Sequence, residues 1–407
     1  MTGRRLSAAI MALSLCGMVM AGEERLPRVR ALTRGPRFHW FAYYDKLQFD
    51  PTGRYALCNE VDFEHRSPNA DDAIRIGMVD TQDGDKWIEL GESRAWNWQQ
   101  GCMLQWLPGS ASEVIWNDRQ DNQFISHILD VKSGKRRTLP APVYAISPDG
   151  RWAVTPDFRR LNDCRPGYGY AGIPDPAGNV QAPEDAGIWK VDLETGKPSL
   201  LISLADLAKV EQPGGFPDGA KHWVNHLLVA PDGRRFVFLH RWRGQADRGF
   251  HTRMFTVGAD AKNLYMLNAS GKVSHFIWRD PSHILAYAGQ GKKDWRFQVF
   301  EDQTVKVEEV EGMLTRDGHC TYLPGKQWIL CDTYPDKDRN QNPYLLHLIT
   351  KKGVPLGHFR SPPEYKGEWR CDLHPRFSPD GTKVTIDSPH GGNGRQLYML
   401  DIRGLCE

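Results

Sequence analysis

Four of the 14 histidines stand at one repeated position. They are His226 in Asn225-His226-Leu227, His275 in Ser274-His275-Phe276, His319 in Gly318-His319-Cys320 and His374 in Leu373-His374-Pro375. Each leads into a short run that reaches a Pro- or Asp-containing turn about five residues later. Imidazole exchanges a proton near neutral pH and is the commonest side-chain metal ligand. Two readings follow from the pattern. The four form an active or metal site, or each ties one repeat to the next by hydrogen bonds.

Other groups share the neighbourhood. Tyr144 stands at nearly the same register one repeat earlier, and Gln99-Gln100 one before that. Arg160 follows Tyr144 by one expected β-hairpin, and His240-Arg241-Trp242-Arg243 follows His226 in the same manner. Such guanidiniums hold an anion bidentately, or else sit in surface ion pairs. Tyr168 and Tyr170 either wall a sugar site or pack a loop. Asp387-Ser388-Pro389-His390 is no nucleophile elbow, and the chain carries neither a phosphate loop nor a dinucleotide fingerprint.

The elements that must position these groups are short strands. A strand runs into a Pro-Asp-Gly turn or a relative about seven times, as in Ser147-Pro148-Asp149-Gly150, Ala230-Pro231-Asp232-Gly233 and Ser378-Pro379-Asp380-Gly381. A later strand recurs too, ending in an acidic residue, as in Ile188-Trp189-Lys190-Val191-Asp192. The spacing of about 50 residues, with almost no amphipathic helix, predicts an all-β fold. The expected form is a seven-bladed β-propeller of four-stranded antiparallel blades, about 55 residues each. Inner strands of a propeller line its channel, so the four histidines converge on one mouth. Residues 155–222 read as a Pro/Gly-rich segment inserted on a blade rim, with a short helix near 202–210.

The chain has 407 residues, 52 Lys+Arg against 50 Asp+Glu, and a formal net charge of +2. Arg4 and Arg5 account for that excess, so the body is neutral and has no bulk field for nucleic acid or an acidic membrane. The same arginines precede an apolar run from Leu6 to Met20 and a Val19-Met20-Ala21 cleavage signal. Residues 1–21 therefore read as a secretory signal peptide, leaving a single domain over 22–407 that is periplasmic or secreted and not inserted in a membrane. Of eight cysteines, Cys16 falls in that leader. The rest form no CxxC pair and read mainly as small buried hydrophobes, although Cys320 and Cys331 can face each other across a hairpin.

The C-terminal repeats resemble the seven-bladed polysaccharide lyases, most closely the oligogalacturonate lyase type among TolB-like propellers. The resemblance rests on His275 before an apolar strand, His319 with Pro324-Gly325, and His374-Pro375-Arg376-Phe377-Ser378-Pro379-Asp380-Gly381. It implies His275 as the base and a manganese ion held by His319 and His374. Where that family has Gln and a further His, this chain has Trp369 and Asp372, and a carboxylate suits a hard cation. The chain is also similar to propeller ulvan lyases, which use His, Tyr and Arg without a catalytic metal. Tyr144 and Arg160 match that pair in spacing.

The implied activity is β-elimination on an anionic, uronate-containing oligosaccharide. His226 or Tyr144 would be the acid partner, and Arg160 and Arg243 would hold the carboxylate. The alternative is a non-catalytic TolB-like propeller that binds a glycan or protein. Convergence of the four histidines beside a basic pocket favours the enzyme. Separate burial in blade-to-blade contacts favours the binder.

Overall fold

The computed structural model describes residues 26–41, 43–290 and 293–406, so the leader expected at 1–21 lies outside the described residues. Seven four-stranded antiparallel sheets stand in a ring. They span residues 38–93, 105–139, 145–203, 221–271, 273–309, 321–355 and 376–401, and are numbered here as blades one to seven. The strand Arg28–Ala31 forms the outer edge of blade seven, with Arg28 opposite Asp401 and Ala31 opposite Tyr398. This joins the two ends of the described chain and closes the ring. A propeller with little helix is the architecture expected from the repeats. Among the described residues no helix is long and apolar enough to cross a membrane.

The repeated turns pack against one another under the ring. Gly150 has φ 69°, and a side chain there would meet the Pro108 carbonyl of the neighbouring blade's turn. Only glycine accepts both the left-handed backbone and that approach. Apolar side chains fill the wedges between blades. Trp40, Trp96, Trp98 and Trp116 are almost fully buried in one such wedge, so these aromatic faces serve the core. The described cysteines are free thiols, Cys320 and Cys331 included, and all but Cys406 are buried.

The segment 155–222 is not one insertion. Gly187–Asp192 and Pro198–Ser203 are the two outer strands of blade three. The additional chain is 157–186, between the second and third strands, and 204–220, after the fourth. The first piece opens with the helix Phe158–Cys164, capped by Asp157, whose side chain accepts from the Arg159 and Arg160 amides. The helix expected near 202–210 is Leu204–Lys209.

Candidate functional site

The inner strands of blades four to seven bring the four histidines to one mouth of the channel. Ring centroids are 6.3 Å apart for His226 and His275, 4.3 Å for His275 and His319, and 4.1 Å for His319 and His374. Local irregularities aim them. His226 sits where the strand register slips between Asn225 and Leu227, with φ 54°. His275 lies in a similar slip between Val273 and Phe276, and His374 has φ 43°. Bulges and left-handed residues turn a side chain out of its regular alternation, at some cost in strain.

Each ring is held differently. His275 Nδ1 lies 2.9 Å from Asp317, which is a quarter exposed, while His275 itself is buried. Burial opposes the Asp317 charge, but His275 and the Ser274 hydroxyl outweigh it and hold the carboxyl below its ordinary range. His319 Nδ1 lies 3.0 Å from both oxygens of Asp332, which also accept the backbone N–H groups of His319 and His374. Burial still pushes Asp332 up to about 7. Gly318 permits this contact, because a side chain there would run into the Asp332 carbonyl. Burial, then neighbouring positive charge, pushes His226, His319 and His374 well below the usual imidazole range, so they are neutral ligands or bases at pH 7.

His319 Nε2 and His374 Nε2 are buried and have no hydrogen-bond partner among the described residues. Together with Asp372 they offer three ligand atoms within 4.8 Å of one another. Two neutral imidazoles and a carboxylate suit a divalent cation, and the bare lone pairs point to one. Asp372 also accepts from Arg370 Nε at 2.7 Å, and Arg370 Nη2 donates to the Tyr168 hydroxyl at 2.8 Å. Burial opposes ionisation of Tyr168, yet Arg370 and Arg165 together hold its phenol below the ordinary tyrosine value.

The segment Tyr43–Lys46 is a component not anticipated from the repeats. It leaves the inner strand of blade one and enters the channel. The Tyr44 hydroxyl donates to the Phe276 carbonyl at 2.8 Å and lies 3.3 Å from His226 Nε2. Its ring is within 6.4 Å of all four imidazoles. Asp45 and Lys46 form a buried ion pair beside it.

Two expected arginines lie elsewhere. Arg160 is on a helix, not a hairpin, and is buried inside the blade-three segment. Its guanidinium donates to Asp175 and to the carbonyls of Ala177, Val180, Gln181 and His222, leaving nothing for a ligand. Arg243 is exposed at the end of its strand opposite Lys221, and its Nε donates to the Gly249 carbonyl. It faces a rim cavity with Lys221 and Asp163. Tyr144 is buried at the start of blade three, where its hydroxyl accepts from Gln100 at 2.7 Å and Lys46 covers its ring. Among the described residues its ring and hydroxyl meet Phe158, Lys46 and Gln100, not the four imidazoles. Arg370 and Arg165 lie near the mouth instead, with Arg241 beside Arg165 across Phe250. Arg376, which donates to the His374 carbonyl, is taken up by Asp387.

No family model matches the sequence, and no curated protein matches it. Solved structures do. An oligogalacturonate lyase from Vibrio parahaemolyticus is similar at TM-score 0.65 and 16% identity, over 94% of this chain and 95% of that one. An oligogalacturonate lyase in complex with manganese is similar at TM-score 0.68 and 16% identity, over 93% and 94%. A prolyl endopeptidase is similar at TM-score 0.54 and 11% identity, over 92% of this chain and 49% of that one. At these identities the likeness is one of fold. For the two lyases it spans nearly the whole of both chains, beyond the C-terminal repeats whose motifs suggested it.

Proposed function

We propose that this chain is an exported polysaccharide lyase that cleaves uronate-containing oligosaccharides by β-elimination. One observation carries the reading: a His–Asp pair, His275 with Asp317, stands 4.3 Å ring to ring from a histidine whose outer nitrogen is bare. The manganese in the similar oligogalacturonate lyase supports it.

The proton next to a uronate carboxylate is a poor acid, so two functions are needed together. His275, oriented by Asp317 through Nδ1, presents Nε2 as the base. The carboxylate must be gripped by positive charge as the enolate develops. His319, His374 and Asp372 would hold a divalent cation, which when bound supplies Lewis-acid stabilisation of that enolate. Asp332 fixes the His319 ring so that Nε2 faces the channel. Arg370 adds a permanent cation whose charge Asp372 and Tyr168 retain against burial. The proton taken by His275 is the one returned to the leaving oxygen. His226, neutral at pH 7 and paired with Tyr44, orients that side of the mouth and does not serve as the acid. Tyr144 sits behind Lys46 and takes no part.

The test is the ultraviolet absorbance of an unsaturated uronate product, on pectic, ulvan-type and glycosaminoglycan oligosaccharides, with and without Mn²⁺. A Mn²⁺-dependent rise on one of these supports the reading. No rise on any of them removes it and leaves the glycan- or protein-binding propeller.

A further inference from the structure

A second group of unfilled donors lies between blade four and the blade-three segment. Arg241 is buried, and its Nε and Nη1 have no hydrogen-bond partner among the described residues. The same holds for Arg165 Nη1 and Trp223 Nε1. All three residues meet at Phe250. The Arg165 and Arg241 guanidiniums lie 4.6 Å and 4.8 Å from its ring centre, and the Trp223 ring lies 5.8 Å from it. Every unfilled group named here is an N–H donor.

Buried donors are normally satisfied, because leaving one empty costs free energy. Two other buried arginines obey the rule. Arg253, on the strand next to Arg241, donates to His240, to the Leu207, Val210 and Glu211 carbonyls and to Gln212. Arg160 is filled in the same way. The gathering of three such residues at one ring points to an acceptor from outside the chain, and two guanidiniums with an indole N–H select an anion. Arg165 also stacks 4.3 Å from the Tyr168 ring, whose hydroxyl Arg370 holds, so packed side chains link this cluster to the mouth.

We propose that Arg165, Arg241 and Trp223 form a carboxylate-binding subsite, separate from the His319–Asp372–His374 centre, for an acidic sugar of the oligosaccharide. The identity of the ligand as a sugar acid rests on the proposed function. The site itself rests on the unfilled donors. It implies a substrate with acid groups on more than one residue.

Thermal unfolding of the metal-free full chain tests it, with galacturonate, its methyl ester and sodium chloride as probes. Galacturonate should raise Tm by about 2–4 °C near saturation, and the ester and chloride should not. Arg241→Met and Arg165→Gln should each lose that rise. The ligand-free Tm of Arg241→Met should stay close to wild type, since the substitution removes no hydrogen bond from Nε or Nη1 and methionine keeps the packing on Phe250. An equal rise with the ester, an unchanged rise in both variants, or no rise in wild type overturns the subsite. The product-absorbance assay on the same proteins separates the two ideas. A galacturonate shift without any product keeps the acid site and removes the lyase.

Discussion

Blade one and the arc from blade five to blade seven both bury histidines, and they treat them in opposite ways. In blade one, both ring nitrogens of His39 are occupied, Nδ1 by Gln396 and Nε2 by Glu60, each at 3.0 Å. On the other arc His319 and His374 keep an equally buried Nε2 with no hydrogen-bond partner among the described residues. The same contrast separates Arg160, filled on every nitrogen, from Arg241. Burial alone does not mark a functional residue here. The distinguishing feature is a buried polar atom left open where a ligand can reach it.

Four experiments sharpen or break this contrast. The largest effect belongs to the filled arginine. Arg160→Met strands Asp175, buried with it in an ion pair at 3.1 Å, and should cost about 3–5 kcal/mol in denaturant unfolding. A neutral result would return Arg160 to the list of free cations. His374→Ala should weaken Mn²⁺ binding by at least about 100-fold in calorimetric titration, while His39→Ala leaves it intact. Loss in both, or in neither, erases the distinction. Asp332→Asn, which loosens His319 without removing a donor, should weaken the same binding by about 10- to 100-fold.

The fourth experiment varies pH. Burial holds His226, His240, His319 and His374 well below their ordinary range, and His222 at about 4. These groups gain protons near pH 6.5 only when unfolded. Their stabilisation is complete above that value and is lost as pH falls toward the folded values. Asp45 and Asp332, raised by burial, act in the opposite sense, favouring the folded state at low pH and losing that advantage as pH rises toward about 7 for Asp332. Five imidazoles outweigh two carboxyls, so Tm in calorimetry should drop between about pH 7 and pH 5. A flat or rising profile would mean the rings are not neutral.

Much of this was legible in the chain. Pro-Asp-Gly turns and apolar runs disclose the blades because a turn's backbone needs are local. The histidine register discloses the mouth because equivalent strands share one axis. What escaped depends on distant partners. Asp317 and Asp332 carry no signature, since strand pairing and ring closure alone set them against His275 and His319. Tyr43–Lys46 stands in blade one where the later repeats carry their histidines, Lys46 lying five residues before Pro51 as His226 does before Pro231, but its different residue types hid the match. Arg160 was misplaced because Asp157, as an N-cap, starts a helix where a hairpin was expected. Arg243 was misplaced because its strand pairs to Lys221, carrying it past the mouth to the rim.

The central claim is that the histidines at the channel mouth do chemistry. It is tested most directly by the initial rate of product absorbance on de-esterified pectic oligomers with Mn²⁺, comparing wild type, His275→Ala and His39→Gln. The account predicts a rate in wild type that falls by about 100- to 10,000-fold in His275→Ala and persists in folded His39→Gln. Equal rates in wild type and His275→Ala would contradict it.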